Sequence, residues 1–256
     1  MYCVHRVFTL ALLLAAFACT AAGSETVTFA AKDGLLLSAD IYAPHDQAGT
    51  PFIVLFHQAG SSRGEYSGIA PWLNSLGYNC MAVDQRSGEV SQGVENETAR
   101  RAAEAHRETG YLAALPDIRA ALEYARKHYG KGPVIAWGSS YSAALVLQIA
   151  GVSPGQADGV LAFSPGEYFE RAGKSATWIA ESARHIRIPV FISSARGEAD
   201  QWAAIYATIE SGSKAKFVPA TDGRHGSRAL WAQYPDSGDY RAAVRTFLEQ
   251  HFPAGG

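Results

Sequence analysis

The chain has 256 residues, 48% hydrophobic and 18% charged, with a formal net charge of −2. This suits one globular domain and excludes a disordered or fibrous chain; with no basic run it also excludes the electrostatic footprint of a nucleic-acid binder. Three cysteines build no disulfide framework, and no Cys/His spacing reads as a zinc site, so neither metal nor cofactor is expected.

The first 22 residues read as a leader. Residues 7–18 are almost wholly apolar behind a short, positively charged start, too short for a membrane-spanning helix, which needs about 20 residues, but right for the apolar region of a secretory signal. Ala16-Phe17-Ala18 offers a small-x-small cleavage site, and Cys19 beside it raises the second option of a lipid anchor. The expectation is an exported protein, periplasmic or secreted, with residues 23–256 as one domain. Only Cys80 then remains, and a lone cysteine in an oxidising compartment is expected to be buried and inert.

From there strand and helix patterns alternate. Residues 26–31 and 35–42 are β-rich around Asp33-Gly34, a hairpin turn signal. Residues 52–56 (F-I-V-L-F) form the continuous apolar run of a strand covered on both faces. A helix over 69–76 ends at Gly77, and a strand follows over 79–84. The stretch 88–110 is irregular, with a charged helical piece that reads either as a solvated surface helix or as the rim of a pocket. A helix over 118–129 precedes a strand at 134–137, a helix at 142–150 and strands at 160–163 and 189–194. The chain closes with a helix at 201–209, a short strand at 215–218 and a helix at 240–251. Such alternation implies a mostly parallel sheet with helices on both faces, preceded by an N-terminal β-hairpin.

The chemistry gathers at strand ends. Gly138-Ser139-Ser140-Tyr141-Ser142 lies between a buried strand and an apolar helix, the context of a nucleophile elbow with Ser140 at its tip. The turn is sharp enough that the positions two residues either side must be small, which Gly138 and Ser142 satisfy. A serine needs a base, and His225 stands apart from the other histidines, in the Gly-rich loop Asp222-Gly223-Arg224-His225-Gly226 after the last strand. The carboxylate that orients the imidazole should follow the strand at 189–194; Glu198 is the first choice and Asp200 the alternative, the latter also suited to capping the next helix. The amide of Tyr141 would supply one oxyanion donor. The loop His57-Gln58-Ala59-Gly60 would supply the other, through Ala59 or, alternatively, Gln58. His57 itself reads as a loop-stabilising residue. The order Ser140, acid, His225 is that of α/β-hydrolases.

These motifs resemble the serine α/β-hydrolases, near their dienelactone hydrolase-like and prolyl-oligopeptidase-like branch. The resemblance spans nearly the whole mature chain: the hairpin at Asp33-Gly34, His57-Gln58-Ala59-Gly60 in the H-G-x-G place, Asp84-Gln85-Arg86-Ser87-Gly88 like D-x-R-G-x-G, then elbow, acid and histidine. It implies an α/β-hydrolase fold and a serine hydrolase working through an acyl-enzyme on Ser140. Ser140, where dienelactone hydrolases carry cysteine, implies ordinary esterase chemistry. Only a modest stretch separates Phe163 from Pro189, so no large lid is expected, and Tyr168, Phe169 and Trp178 with Tyr141 and Trp202 could line a small aromatic pocket or serve as core. The first expectation is therefore a carboxylesterase of small esters. A thioesterase or peptidase with the same triad, or a non-catalytic binding protein on the scaffold, are the competing readings.

Overall fold

A computed structural model describes residues 24–254; the leader and Cys19 lie outside them. The hairpin is β1 (Glu25–Ala30) and β2 (Leu36–Tyr42), paired antiparallel with Ala30 opposite Leu36. Gly34 closes its turn at φ +85°, a conformation that glycine alone adopts without strain. Next come β3 (Phe52–Phe56), α1 (Ile69–Ser75) and β4 (Asn79–Val83). The irregular stretch holds a two-stranded hairpin, β5 (Val90–Ser91) and β6 (Val94–Glu95), and the helix α2 (Glu97–Glu104). The rest is α3 (Leu115–Tyr129), β7 (Val134–Ser139), α4 (Tyr141–Val152), β8 (Gly159–Phe163), α5 (Trp178–Ala183), β9 (Val190–Ser193), α6 (Ala199–Thr208), β10 (Lys214–Phe217) and α7 (Ser237–His251).

Eight strands form one sheet in the order β1-β2-β4-β3-β7-β8-β9-β10. All neighbours from β4 to β10 run parallel, and β2 runs antiparallel to both of its neighbours. The period of two along β3 divides the core: Phe52, Val54 and Phe56 join α3, α4, α5 and α6 on one face, while Ile53 and Leu55 join α1 and α7 on the other. α4 is buried from Tyr141 to Gly151, which suits a helix apolar all round.

Four helices, α3, α4, α6 and α7, start one to three residues earlier than the sequence pattern suggests. α3 begins at Leu115 because Pro116 fits the first turn, where its missing N–H costs nothing. α6 begins at Ala199, so Asp200 falls inside its first turn and the cap position belongs to Glu198, which makes no side-chain cap bond. Asp200 is therefore not the cap it was expected to be. Cys80 lies buried on β4, and burial alone pushes its thiol pKa up.

Candidate active site

β7 runs into α4 through Ser140, at φ +59° and ψ −121°, a backbone conformation rare for any residue with a side chain. The Ser140 N–H donates to the Phe163 carbonyl at 2.7 Å, so β8 braces the turn. A Cβ on Gly138 would sit 2.5 Å from the Ala143 backbone, which is why that position takes no side chain. Ser142 does more than stay small. Its hydroxyl accepts the Ser139 N–H and lies 2.8 Å from the carbonyls of Phe56 and Ser139, pinning the turn from beneath.

His225 sits after β10, and its Nδ1 is 2.7 Å from Glu198 Oε1. Glu198 is thus the carboxylate beside the imidazole, while Asp200 is exposed and makes no contact with it among the described residues. Burial pushes the Glu198 carboxyl up, but hydrogen bonds from His225 and from Ser164 outweigh it and hold its pKa below the usual value. Ser164, at φ +54° on the end of β8, was not anticipated from the sequence. Its hydroxyl donates to Glu198 Oε2 at 2.7 Å and accepts the Gly226 N–H at 2.8 Å, tying acid and histidine loop together. The next amide, Ser227 N–H, donates to Ser139 Oγ at 2.8 Å, and Trp137 Nε1 donates to Ser227 Oγ. Gly226 has no room for a side chain: a Cβ would lie 2.5 Å from Ser139 Oγ. The histidine loop is therefore bonded to the elbow itself. Among the described residues Ser140 Oγ and His225 make no hydrogen bond, a contact often left long without substrate. The Tyr168 hydroxyl is beside Ser140 and donates to the Ser164 carbonyl.

The two expected oxyanion amides differ from the third. Gln58 N–H is spent on Glu65 Oε2 at 2.9 Å, so of the two expected loop amides Ala59 is the one without an acceptor among the described residues. Tyr141 N–H opens α4 and has no partner within the helix. His57 is fully buried and braces the loop: Nδ1–H donates to the Gln58 carbonyl, and Nε2 accepts the Gln85 N–H. Burial pushes its pKa down to about 4, so it stays neutral.

Two cavities share Tyr111, and the first of them is lined by Ala59. One, about 540 Å³, is lined by Ala59, Gly60, Ser87, Glu89, Arg100 and Tyr111, so the 88–110 stretch forms a rim as well as a surface. The other, about 530 Å³, is lined by Tyr111, Leu112, Tyr168, Phe169 and Ala172. The aromatic lining is thus partly as expected. Trp178 packs edge-on against Phe169, whereas Trp202 and Tyr141 are core residues, the indole N–H held by Ser194 and the phenol by Gln85 and Ser87. Tyr111, half exposed and stacked 4.7 Å above Tyr141, stands where they were expected. Among the described residues no group of His, Cys, Asp and Glu converges as metal ligands would.

The family model described as serine aminopeptidase, S33, matches residues 49–201. No curated protein matches the chain. Among solved structures, a Pyrococcus furiosus esterase superposes with a TM-score of 0.67 at 16% identity, covering 90% of this chain and 91% of its own. A dienelactone hydrolase from Anabaena variabilis gives 0.65 at 13% identity over 90% and 98%. Esterase 2 of Thermogutta terrifontis, phosphorylated by paraoxon, gives 0.64 at 17% identity over 92% and 97%. At these identities the likeness carries the fold, an α/β-hydrolase, and not the substrate.

Proposed function

The chain belongs to the serine aminopeptidase S33 family of serine hydrolases, and from that premise we propose that it cleaves small carboxylic esters through an acyl-enzyme on Ser140. Ser140 Oγ attacks the ester carbonyl while His225 takes its proton. The amides of Ala59 and Tyr141 hold the oxyanion, and Glu198 steadies the imidazolium. Collapse breaks the C–O bond, and the alcohol leaves with the proton from His225. Water, deprotonated by His225, then attacks the acyl-enzyme and releases the acid and Ser140.

The observation that supports this most is the Glu198–His225 pair bonded through Ser164 and Ser139 to the elbow carrying Ser140. The apolar cavity at Tyr168 and Phe169 would take the acyl group, and the modest stretch between Phe163 and Pro189, without a large lid, favours a short one. Export by the leader, with or without a lipid on Cys19, belongs to the same proposal.

A fluorophosphonate probe should label the protein, and Ser140→Ala should abolish both labelling and all but about a thousandth of ester hydrolysis. Retention of more than a tenth of activity would overturn the assignment. Rates on p-nitrophenyl esters should fall as the acyl chain lengthens, and an aminoacyl anilide arm reads the peptidase alternative. The intact mass of the labelled protein reports leader cleavage and lipidation.

A further inference from the structure

One buried acid plays no part in the reaction as written. Glu65 lies in the tight turn Arg63–Tyr66 with its side chain fully buried. Its cationic neighbour Arg228 makes no ion pair with it and donates to the His225 carbonyl instead. Burying an unpaired carboxyl is costly, so such a group persists where donors converge on it. Gln58 N–H donates to Oε2 at 2.9 Å, the hydroxyls of Ser61 and Ser139 lie near the carboxyl, and Oε1 makes no hydrogen bond among the described residues. Burial pushes its pKa above the usual carboxylate value, against the lowering effect of these three donors.

The donors come from different parts of the site. Gln58 precedes Ala59 in the oxyanion loop, and Ser61 follows that loop. Ser139 precedes the nucleophile, and its Oγ also accepts the Ser227 N–H of the histidine loop. The turn is itself fixed: Trp231 Nε1 donates to the Glu65 carbonyl, and the neighbouring Tyr66 hydroxyl donates to the Phe56 carbonyl at the end of β3.

We infer that Glu65 is a positioning residue for the oxyanion hole: it takes the Gln58 N–H away from the substrate, fixes the loop so that Ala59 is the amide left to bind the oxyanion, and braces the elbow beside it. In a loop this short, holding one amide restricts the orientation of the next. The inference rests on the serine-hydrolase reading above.

The test compares Glu65→Gln with Glu65→Met in the whole protein. Glutamine keeps the shape and a carbonyl oxygen for the Gln58 N–H, so kcat should stay within about threefold of wild type. Methionine keeps the volume without a comparable acceptor. Its kcat should fall at least tenfold, with KM within about threefold and fluorophosphonate labelling slowed alongside, because the lost support acts in the transition state; outright loss of an oxyanion donor costs about 10²–10³. A stable Glu65→Met protein with unchanged kcat would overturn the inference, as would a Glu65→Gln protein as impaired as the Met variant. Amide hydrogen exchange at Gln58 supplies a reading independent of turnover and of the Met variant's folding: slow exchange in wild type and Glu65→Gln is expected, and fast exchange overturns the inference. A wild type that is neither labelled nor active, with Gln58 still protected, would instead sink the Ser140 reading alone.

Discussion

Glu198 and Asp200 are two residues apart, both carboxylates after one strand, and only the direction of the chain tells them apart. A 3-10 turn over Arg196–Glu198 places Glu198 against His225, while Asp200 lies exposed in α6. Glu198→Gln should lower kcat by orders of magnitude, since the amide cannot stabilise the imidazolium, whereas Asp200→Asn should change kcat by less than about twofold. Steady-state kinetics on one ester distinguishes them, and the reverse pattern would move the role to Asp200. Because the folded Glu198 pKa is depressed, its stabilising contribution is present above the ordinary carboxylate pKa and lost as pH falls through the lowered value. Glu198→Gln should therefore flatten part of the acid limb of the stability curve. The candidate Ser140 was legible from its strand–turn–helix context and His225 from its Gly-rich loop after the last strand, whereas spacing after β9 left Glu198 and Asp200 both open. Ser164 and Glu65 were not legible. The partners of Ser164 lie far along the chain, Gly226 being 62 positions away, and nothing local in Ser164-Pro165-Gly166 signals the bond; Glu65 bonds Gln58 seven positions back, but only the turn that buries it reveals the contact.

At the scale of elements, the turn Arg63–Tyr66 joins more structure than its four residues suggest. Arg63 bonds Asp40 on β2, Asp84 after β4 and Glu97 on α2, and a Cβ on Gly64 would strike the Ser91 carbonyl of β5. The 88–110 rim is thus fastened to the sheet. Burial pushes the Asp84 carboxyl up, Arg63 and two backbone amides pull it back, and the balance at about 6 leaves it ionised at neutral pH. Arg63→Met should cost about 3–5 kcal/mol in urea denaturation, because it strands a buried carboxylate. The deficit should shrink as pH is lowered, since Asp84 then takes up a proton; a deficit independent of pH would reject this account. Protease cleavage within 88–110 should rise in parallel. The sequence pattern marked this stretch as irregular and its helical piece as charged, but two-residue strands carry no periodicity, so β5 and β6 were invisible. The six-residue α5 was missed for the same reason.

Across the whole molecule, the parallel sheet gathers the ends of β3, β7, β8, β9 and β10 along one edge, where open α/β sheets bind ligands. The sheet was legible from the alternation of apolar runs and amphipathic stretches, and the chain order of the proposed nucleophile, acid and base follows the order of β7, β9 and β10. The backbone at Ser140 has a further consequence, for evolvability. Holding Ser140 at φ +59° costs about 1–3 kcal/mol, and glycine would relieve that cost while giving back about 0.4–1 kcal/mol of unfolded-chain entropy. Ser140→Gly should therefore be more stable than the equally inactive Ser140→Ala by about 1 kcal/mol, read as a higher denaturation midpoint; equal midpoints would mean the elbow is relaxed. Selection for stability alone would replace this serine; under the proposed role of Ser140, its presence is a trade of robustness for turnover.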